Sequence, residues 1–164
     1  MAHDKYARTN SKYHVRWMIR RDMAEVLSIE KLAFEFPWCE DDFIKVLRQK
    51  NAIAMIAEAG DRVVGFKVYE LFPNRVHLLN IAVHPDFHGM GVGGTLVSNL
   101  LGKLSEGRRV RITTEVRERN LDAQLFFKRF GFRATSVLRD YYDDSEEDAY
   151  VFCHSLAFNS EVLA

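Results

Sequence analysis

Between polar ends the chain changes hydrophobic period repeatedly. Apolar positions recur at every second residue in some segments and at every third or fourth in others, as mixed α and β structure requires. Residues 1–14 carry no apolar period and read as a loosely held tail. Residues 158–164 read as another, which leaves one domain expected over 15–157. Val15–Arg20 can form a first strand, and Asp22 stands at an N-cap position ahead of MAEVLSIEKLAF. Phe36-Pro37-Trp38 breaks that helix, and Glu40–Gln49 reads as a short second one. Ala52–Ala59 reads as a strand, Gly60-Asp61 as a tight turn, and Val63–Leu71 as its hairpin partner with Val64, Phe66 and Val68 on one face.

His77–Val83 is a nearly continuous apolar strand, as expected where both faces are covered. It leads through His84-Pro85-Asp86 and a glycine-dense loop, His88-Gly89-Met90-Gly91-Val92-Gly93-Gly94, into a helix carrying Leu96, Val97, Leu100, Leu101 and Leu104 at helical spacing. Val110–Val116 predicts a strand and Leu121–Phe130 a helix stopped by Gly131. Phe132–Asp140 and Ala149–Leu156 predict two closing strands joined by the polar connection 141–148.

The 164 residues, 48% of them apolar, suffice for one domain core. Lys plus Arg equals Asp plus Glu at 23 each, so no net field favours nucleic acid or an anionic membrane, and neither is expected as a partner. No N-terminal apolar run of a signal peptide is present, and no stretch approaches the roughly 18–20 apolar residues of a membrane span, so a cytoplasmic protein is expected. Cys39 and Cys153 show no metal-ligand spacing and read as free thiols, with no metal expected. No sequence feature sets an oligomeric state.

Candidate chemistry concentrates in a few places. A glycine loop opening a helix lets backbone N–H groups and the positive dipole end face an anion, although neither the dinucleotide nor the kinase-type spacing is met and a plain connection is the alternative. Glu115 shares a strand face with Arg111 and Thr113, so it is either a general base or part of a solvated face. His77 is a second base candidate or a structural strand histidine. Phe126, Phe127 and Phe130 form an aromatic stripe at helical spacing that fits a core. Phe36-Pro37-Trp38 and Tyr141-Tyr142 are candidate peptide-contacting segments, or else plugs under a loop and packing at a sheet edge.

The segment LNIAVHPDFHGMGVGGTLV resembles the acetyl-CoA signature of the GCN5-related N-acetyltransferases, and TTEVRERNLDAQLFFKRFGF resembles its second half. The resemblance runs from Val15 to about Leu156. Phe36-Pro37-Trp38-Cys39-Glu40 and Arg139-Asp140-Tyr141-Tyr142 are similar to segments of bacterial ribosomal-protein alanine N-acetyltransferases, which modify protein α-amino termini. It implies an α+β fold: a mixed, mostly antiparallel sheet of about seven strands with helices on both faces. It implies acetyl-CoA as cosubstrate, with its pantetheine arm on the backbone of Ile81, Ala82 and Val83 and its pyrophosphate on the amides of Gly89 through Gly94. His88, Met90, Val92, Asn120 and Phe127 fall at further cofactor positions.

By the same resemblance Glu115 matches the catalytic glutamate. Phe127 stands where related enzymes carry a tyrosine acid, which leaves Tyr141, Tyr142 or water for that duty. His88 replaces a usual Gln or Arg and Gly89 a common Arg, so cofactor binding is expected to be weakened while the main-chain amides remain. The substrate implied is a protein or peptide N-terminus, with a ribosomal protein as the example. A small-molecule amine or lysine, and a non-catalytic acyl-CoA-binding module, are the alternatives. An α-amine of pKa about 8 is roughly a tenth neutral at pH 7, a lysine only about one part in 2,500, so a terminal amine asks less of a base.

Overall fold

A computed structural model describes residues 12–158. The strands are β1 (His14–Trp17), β2 (Ala52–Ala59), β3 (Arg62–Leu71), β4 (Arg75–Val83), β5 (Arg111–Arg117), β6 (Arg133–Leu138) and β7 (Ala149–Ser155). The helices are α1 (Met23–Ala33), α2 (Glu40–Leu47), α3 (Val92–Leu101) and α4 (Leu121–Arg129). The strands form one mixed sheet in the order β1-β2-β3-β4-β5-β7-β6. Pairing is antiparallel for β1 with β2, β2 with β3, β5 with β7 and β6 with β7, and parallel for β4 with β5. The chain divides into two compact units. Of the described residues, one holds those up to Leu71 together with Asn80–Lys103, the other Phe72–Leu79 and those from Leu104 onward.

In the first unit the fold begins before Val15, earlier than the lack of periodicity suggests. The Tyr13 ring is buried in a cluster with Ala57, Val64, Val92 and Leu96, and His14 opens β1. Residues 1–11 of the expected first tail, and 159–164 of the second, lie outside the described residues. The first strand stops at Trp17 rather than Arg20 because the Asp22 carboxylate turns the chain back: it accepts from Ile19 N–H at 2.8 Å and grips the Arg16 guanidinium with both oxygens at 2.8 and 2.9 Å. Asp22 therefore precedes α1 as expected but spends its side chain on this turn and not on the helix.

The β2–β3 hairpin turns at Gly60, whose φ of 60° lies in the left-handed region that glycine tolerates. A register shift between Ala57 and Glu58 breaks the expected alternation of Val64, Phe66 and Val68 on one face. Val64 joins the cluster containing Val92 and Leu96 of α3, whereas Phe66 meets the edge of Phe43 from α2 at 5.7 Å. With helices packed on β3 from both sides, its residues 63–69 are all buried. Among them is Lys67, fully buried, whose Nζ donates to the Leu96 carbonyl at 2.8 Å and to Asn99 Oδ1 at 2.5 Å. Burial, with some help from Lys103, pushes its ammonium down to about 7. A neutral amine has two hydrogens, and these two acceptors use both.

The second unit carries the parallel ladder from Arg75↔Arg111 to Leu78↔Thr114. It ends there, although β4 continues to Val83 and β5 to Arg117. Of the aromatic stripe expected to be core, Phe127 is buried while Phe126 and Phe130 are half-buried. Phe127 is buried with ring centroids of Phe126, Phe132 and Phe152 at 5.3, 5.1 and 6.4 Å, and Gly131 at φ 82° ends the helix.

Lys67 predicts a pH dependence of stability. Between about 7 and its unfolded value of 10.5 the unfolded chain binds the extra proton, so stability rises with pH across that window. The slope has a ceiling of about 1.4 kcal/mol per pH unit. Denaturant unfolding from pH 6.5 to 9.5 should show this rise in the native chain and a flatter profile in Lys67→Met; parallel profiles would contradict it.

Candidate active site

The first unit contains the glycine loop. After β4 the His84 Nδ1 accepts from Asp86 N–H at 3.1 Å and closes a short 3-10 turn over Pro85–Phe87. The chain then reaches α3 through Gly89 and Gly91, at φ 74° and 86°. A Cβ on either would meet nothing within 4 Å, so the outer side of the loop is open. Thr95 N–H takes the Gly91 carbonyl at 3.0 Å as the first helical bond, and Gly91 offers no side-chain cap. By helix geometry the N–H groups of Val92, Gly93 and Gly94 then lack intrahelical acceptors, which is the arrangement an anion needs.

His88 does not reach outward. Its Nε2–H donates to the Val83 carbonyl at 3.0 Å, which both stiffens the loop and occupies one lone pair of a group expected to face pantetheine. Met90 is exposed.

What seats α3 here is a residue that motif reading passed over. A Cβ on Gly65 of β3 would lie 2.9 Å from Val92 Cγ1, 3.1 Å from the Ala82 carbonyl and 3.2 Å from Leu96 Cδ1. The only advance signal was a glycine inside a strand, which often marks a close backbone approach.

The same unit holds the Phe36-Pro37-Trp38 segment. Trp38 is half-buried with its ring edge on Phe43 at 5.1 Å, Phe36 is half-buried, and Pro37 is exposed. Trp38 N–H donates at 3.1 Å to the buried Glu30 carboxylate of α1, which also accepts from Asn80 Nδ2. Burial above all holds the Glu30 carboxyl above the usual range. Glu30, which helical spacing gave no reason to single out, is thus another unforeseen member.

The second unit holds the proton-handling candidates. Because His77 pairs with Thr113, Glu115 lies two residues further along the same face of β5, and His77 Nε2 meets Glu115 Oε2 at 2.6 Å. The two base candidates are therefore one hydrogen-bonded pair, mostly buried at 15% and 20% side-chain exposure. Nearby in the sequence Asn120 caps α4, its Oδ1 accepting from Ala123 N–H at 3.1 Å, so its amide NH₂ is the part left to address a ligand. Phe127, being buried, could offer a cofactor only a narrow edge.

The tyrosine pair is set by Asp140, whose φ of 47° suits a short polar side chain, with its N–H on Asp148 Oδ1 at 2.9 Å. Tyr141 is exposed; Tyr142 is half-buried at 5.0 Å from it, under the Arg117 guanidinium at 3.8 Å. Burial, with the acidic groups around it, pushes the Tyr142 hydroxyl up to about 12. Much of the acidic connection is used internally: Asp144 pairs with Arg117 at 2.7 Å, Glu147 with Arg117 at 3.4 Å, and Asp148 with Arg139 at 2.8 Å.

Residues 23–132 match the acetyltransferase (GNAT) family. The chain belongs to that family. Among GNAT proteins it is 30% identical over 132 residues to the ribosomal protein bS18-alanine N-acetyltransferase of Salmonella typhimurium, covering 79% of this chain and 88% of that one. It is 26% identical to an N-alpha-acetyltransferase of Sulfurisphaera tokodaii, covering 92% and 97%. The crystal structure of the Escherichia coli ribosomal-protein-S18-alanine N-acetyltransferase superposes with TM-score 0.78 at 25% identity, over 88% of this chain and 94% of that one. The seven-stranded mixed sheet is thus the GNAT fold that the resemblance implied. Among the described residues no group of three metal-ligating side chains occurs and no helix is long and apolar enough to cross a membrane.

If Gly65 seats α3, Gly65→Ala should destabilise the fold by about 1–3 kcal/mol, the usual cost of overpacking. Thermal unfolding checks this; an unchanged midpoint would mean that Val92 and Leu96 give way freely.

Proposed function

We propose that this GNAT chain transfers acetyl from acetyl-CoA to the α-amino group of a protein N-terminus, in the manner for which its Salmonella and Sulfurisphaera relatives are named. The observation that carries the reading is the 2.6 Å bond between His77 and Glu115. Acetyl-CoA supplies an acetyl group activated as a thioester. Ile81–Val83 would hold its pantetheine by main-chain pairing, as a sheet edge holds an added strand. The loop from His88 to Gly94 would hold its phosphates, with Asn120 adding a side-chain contact. The open loop and the uncommitted first amides of α3 fit that group.

In the proposed reaction the amine nitrogen bonds to the thioester carbonyl carbon, the C–S bond breaks, and the amine loses a proton. Glu115 accepts that proton. His77, donating to Oε2, orients the carboxylate and keeps the other oxygen toward the amine, and the two groups together can carry the proton away. Tyr142 has a more modest part than full proton transfer. At about 12 its hydroxyl keeps its proton against a thiolate whose thiol has an ordinary pKa of about 8.5, so it serves as a hydrogen-bond donor to the departing sulfur and solvent protonates the thiolate. Phe36, Pro37, Trp38 and Tyr141 would contact the first residues of the peptide.

Thiol release from acetyl-CoA, followed with peptides of varied first residue, with the same peptides blocked at the N-terminus, and with free amines, tests the reading. Release is expected with free N-termini alone, and Glu115→Gln should lower kcat by about 10²–10⁴-fold, the usual worth of a general base. Release with blocked peptides or small amines would move the substrate elsewhere. Calorimetric binding of acetyl-CoA with no release, unchanged by Glu115→Gln, would make the protein a binding module, the outcome that Phe127 in place of a tyrosine favours.

A further inference from the structure

Glu30 sits in the last turn of α1, 1% exposed, where a helix end disfavours negative charge. Its hydrogen-bond donors are neutral: Trp38 N–H at 3.1 Å on Oε1, and the Asn80 amide at 3.1 and 3.0 Å on the two oxygens. The charge that acts on it is Asp42, of the same sign. For stability alone an apolar side chain would serve this place as well or better, since a buried carboxylate without a cation repays little of its desolvation. What the carboxylate does achieve is geometric. The Glu30 carbonyl accepts from Phe34 N–H at 3.2 Å, and its side chain from Trp38 N–H, so one residue brackets the intervening segment at both ends. Pro37, with fixed φ and no N–H of its own, makes Trp38 the first donor the bracket can take after the break. The third bond reaches Asn80, the residue immediately before Ile81.

We propose that Glu30 is a positioning residue that fixes the Phe36-Pro37-Trp38 segment to β4 and so sets which first residue a substrate peptide can carry. This rests on the reading of that segment as peptide-contacting. Without the carboxylate the segment remains attached to α1 and α2 but its offset from β4 is no longer held, so the effect falls on the peptide and not on the cofactor.

Steady-state kinetics with the peptide panel and acetyl-CoA test this in the native chain, Glu30→Leu, Glu30→Gln and Asn80→Leu. Glu30→Leu keeps the volume and removes every side-chain acceptor; it should raise peptide KM about tenfold, the loss of roughly one net hydrogen bond. It should also flatten the preference among first residues and leave the KM for acetyl-CoA within about twofold. Glu30→Gln retains a carbonyl oxygen for Trp38 N–H and should restore most of the KM and the preference. Asn80→Leu should give an intermediate rise, and it carries the test should Glu30→Leu fail to fold. A fall in kcat or in melting temperature with peptide KM and preference unchanged would overturn the proposal and leave Glu30 a packing residue. If the native chain acetylates no peptide, the N-terminal reading falls and this inference falls with it. If the native chain does so and the variants match it, only the inference is lost.

Discussion

A main-chain amide can serve a ligand only while nothing in its own protein satisfies it, and the first unit is arranged around keeping such groups open yet fixed. Gly91 begins α3 without a side-chain cap, and the loop before it bends through two left-handed glycines whose outer sides meet no atoms. Openness alone would give a mobile end. Fixity comes from beneath, where the absence of a Cβ at Gly65 lets Val92, Leu96 and the Ala82 carbonyl close on β3, and from the His88 ring tied to the Val83 carbonyl. His88, where the resemblance expects Gln or Arg, is spent on the Val83 carbonyl, so the proposed cofactor role falls more heavily on backbone.

Buried charge is handled in three ways in this unit. Asp22 is matched bidentately by Arg16, and its hydrogen bond to that guanidinium holds its carboxyl below the usual range. Lys67 meets only neutral acceptors and is driven toward the neutral amine. Glu30 meets only neutral donors and is driven toward the acid. The first arrangement is a stable turn. The other two carry a desolvation cost that packing alone does not explain. They differ in what they touch: Lys67 ties two core elements together, α3 and β3, while Glu30 holds a partly exposed segment.

Local pattern made most of the elements legible, because strand and helix periods, Gly60, Gly131 and the glycine loop each act within a few residues. Errors arose where a distant partner decides. Tyr13 looked like tail because its burial depends on α3, fourscore positions along the chain. The face of Val64 was misjudged because Val64 is itself the extra residue of a bulge in β3, opposite Ala57 and Glu58 of β2, and a bulge is set by the pairing of two strands and not by the pattern of one. In the candidate site, Glu115 and His77 were each visible as alternatives to a bland strand residue, but their meeting depends on the offset of β4 against β5, which neither strand specifies alone. Glu30 and Gly65 escaped notice for the same reason: a glutamate in a helix and a glycine in a strand acquire meaning only from what lies across from them.

The contact between His77 and Glu115 also changes how the two must be weighed. Separate candidates compete for one duty, whereas a carboxylate accepting from an imidazole at 2.6 Å forms one hydrogen-bonded unit with it. Replacing either therefore removes a hydrogen-bond partner of the other, so single substitutions at this pair measure the pair. The hydroxyl of Tyr142 stands on a different footing: burial and neighbouring acidic groups keep its proton in place, which disqualifies it as a ready acid and suits it to stabilising charge that develops on a leaving atom. Phe127, packed against Phe126, Phe132 and Phe152, has no proton to give, so in the proposed reaction the departing thiolate relies on a hydrogen bond and on solvent.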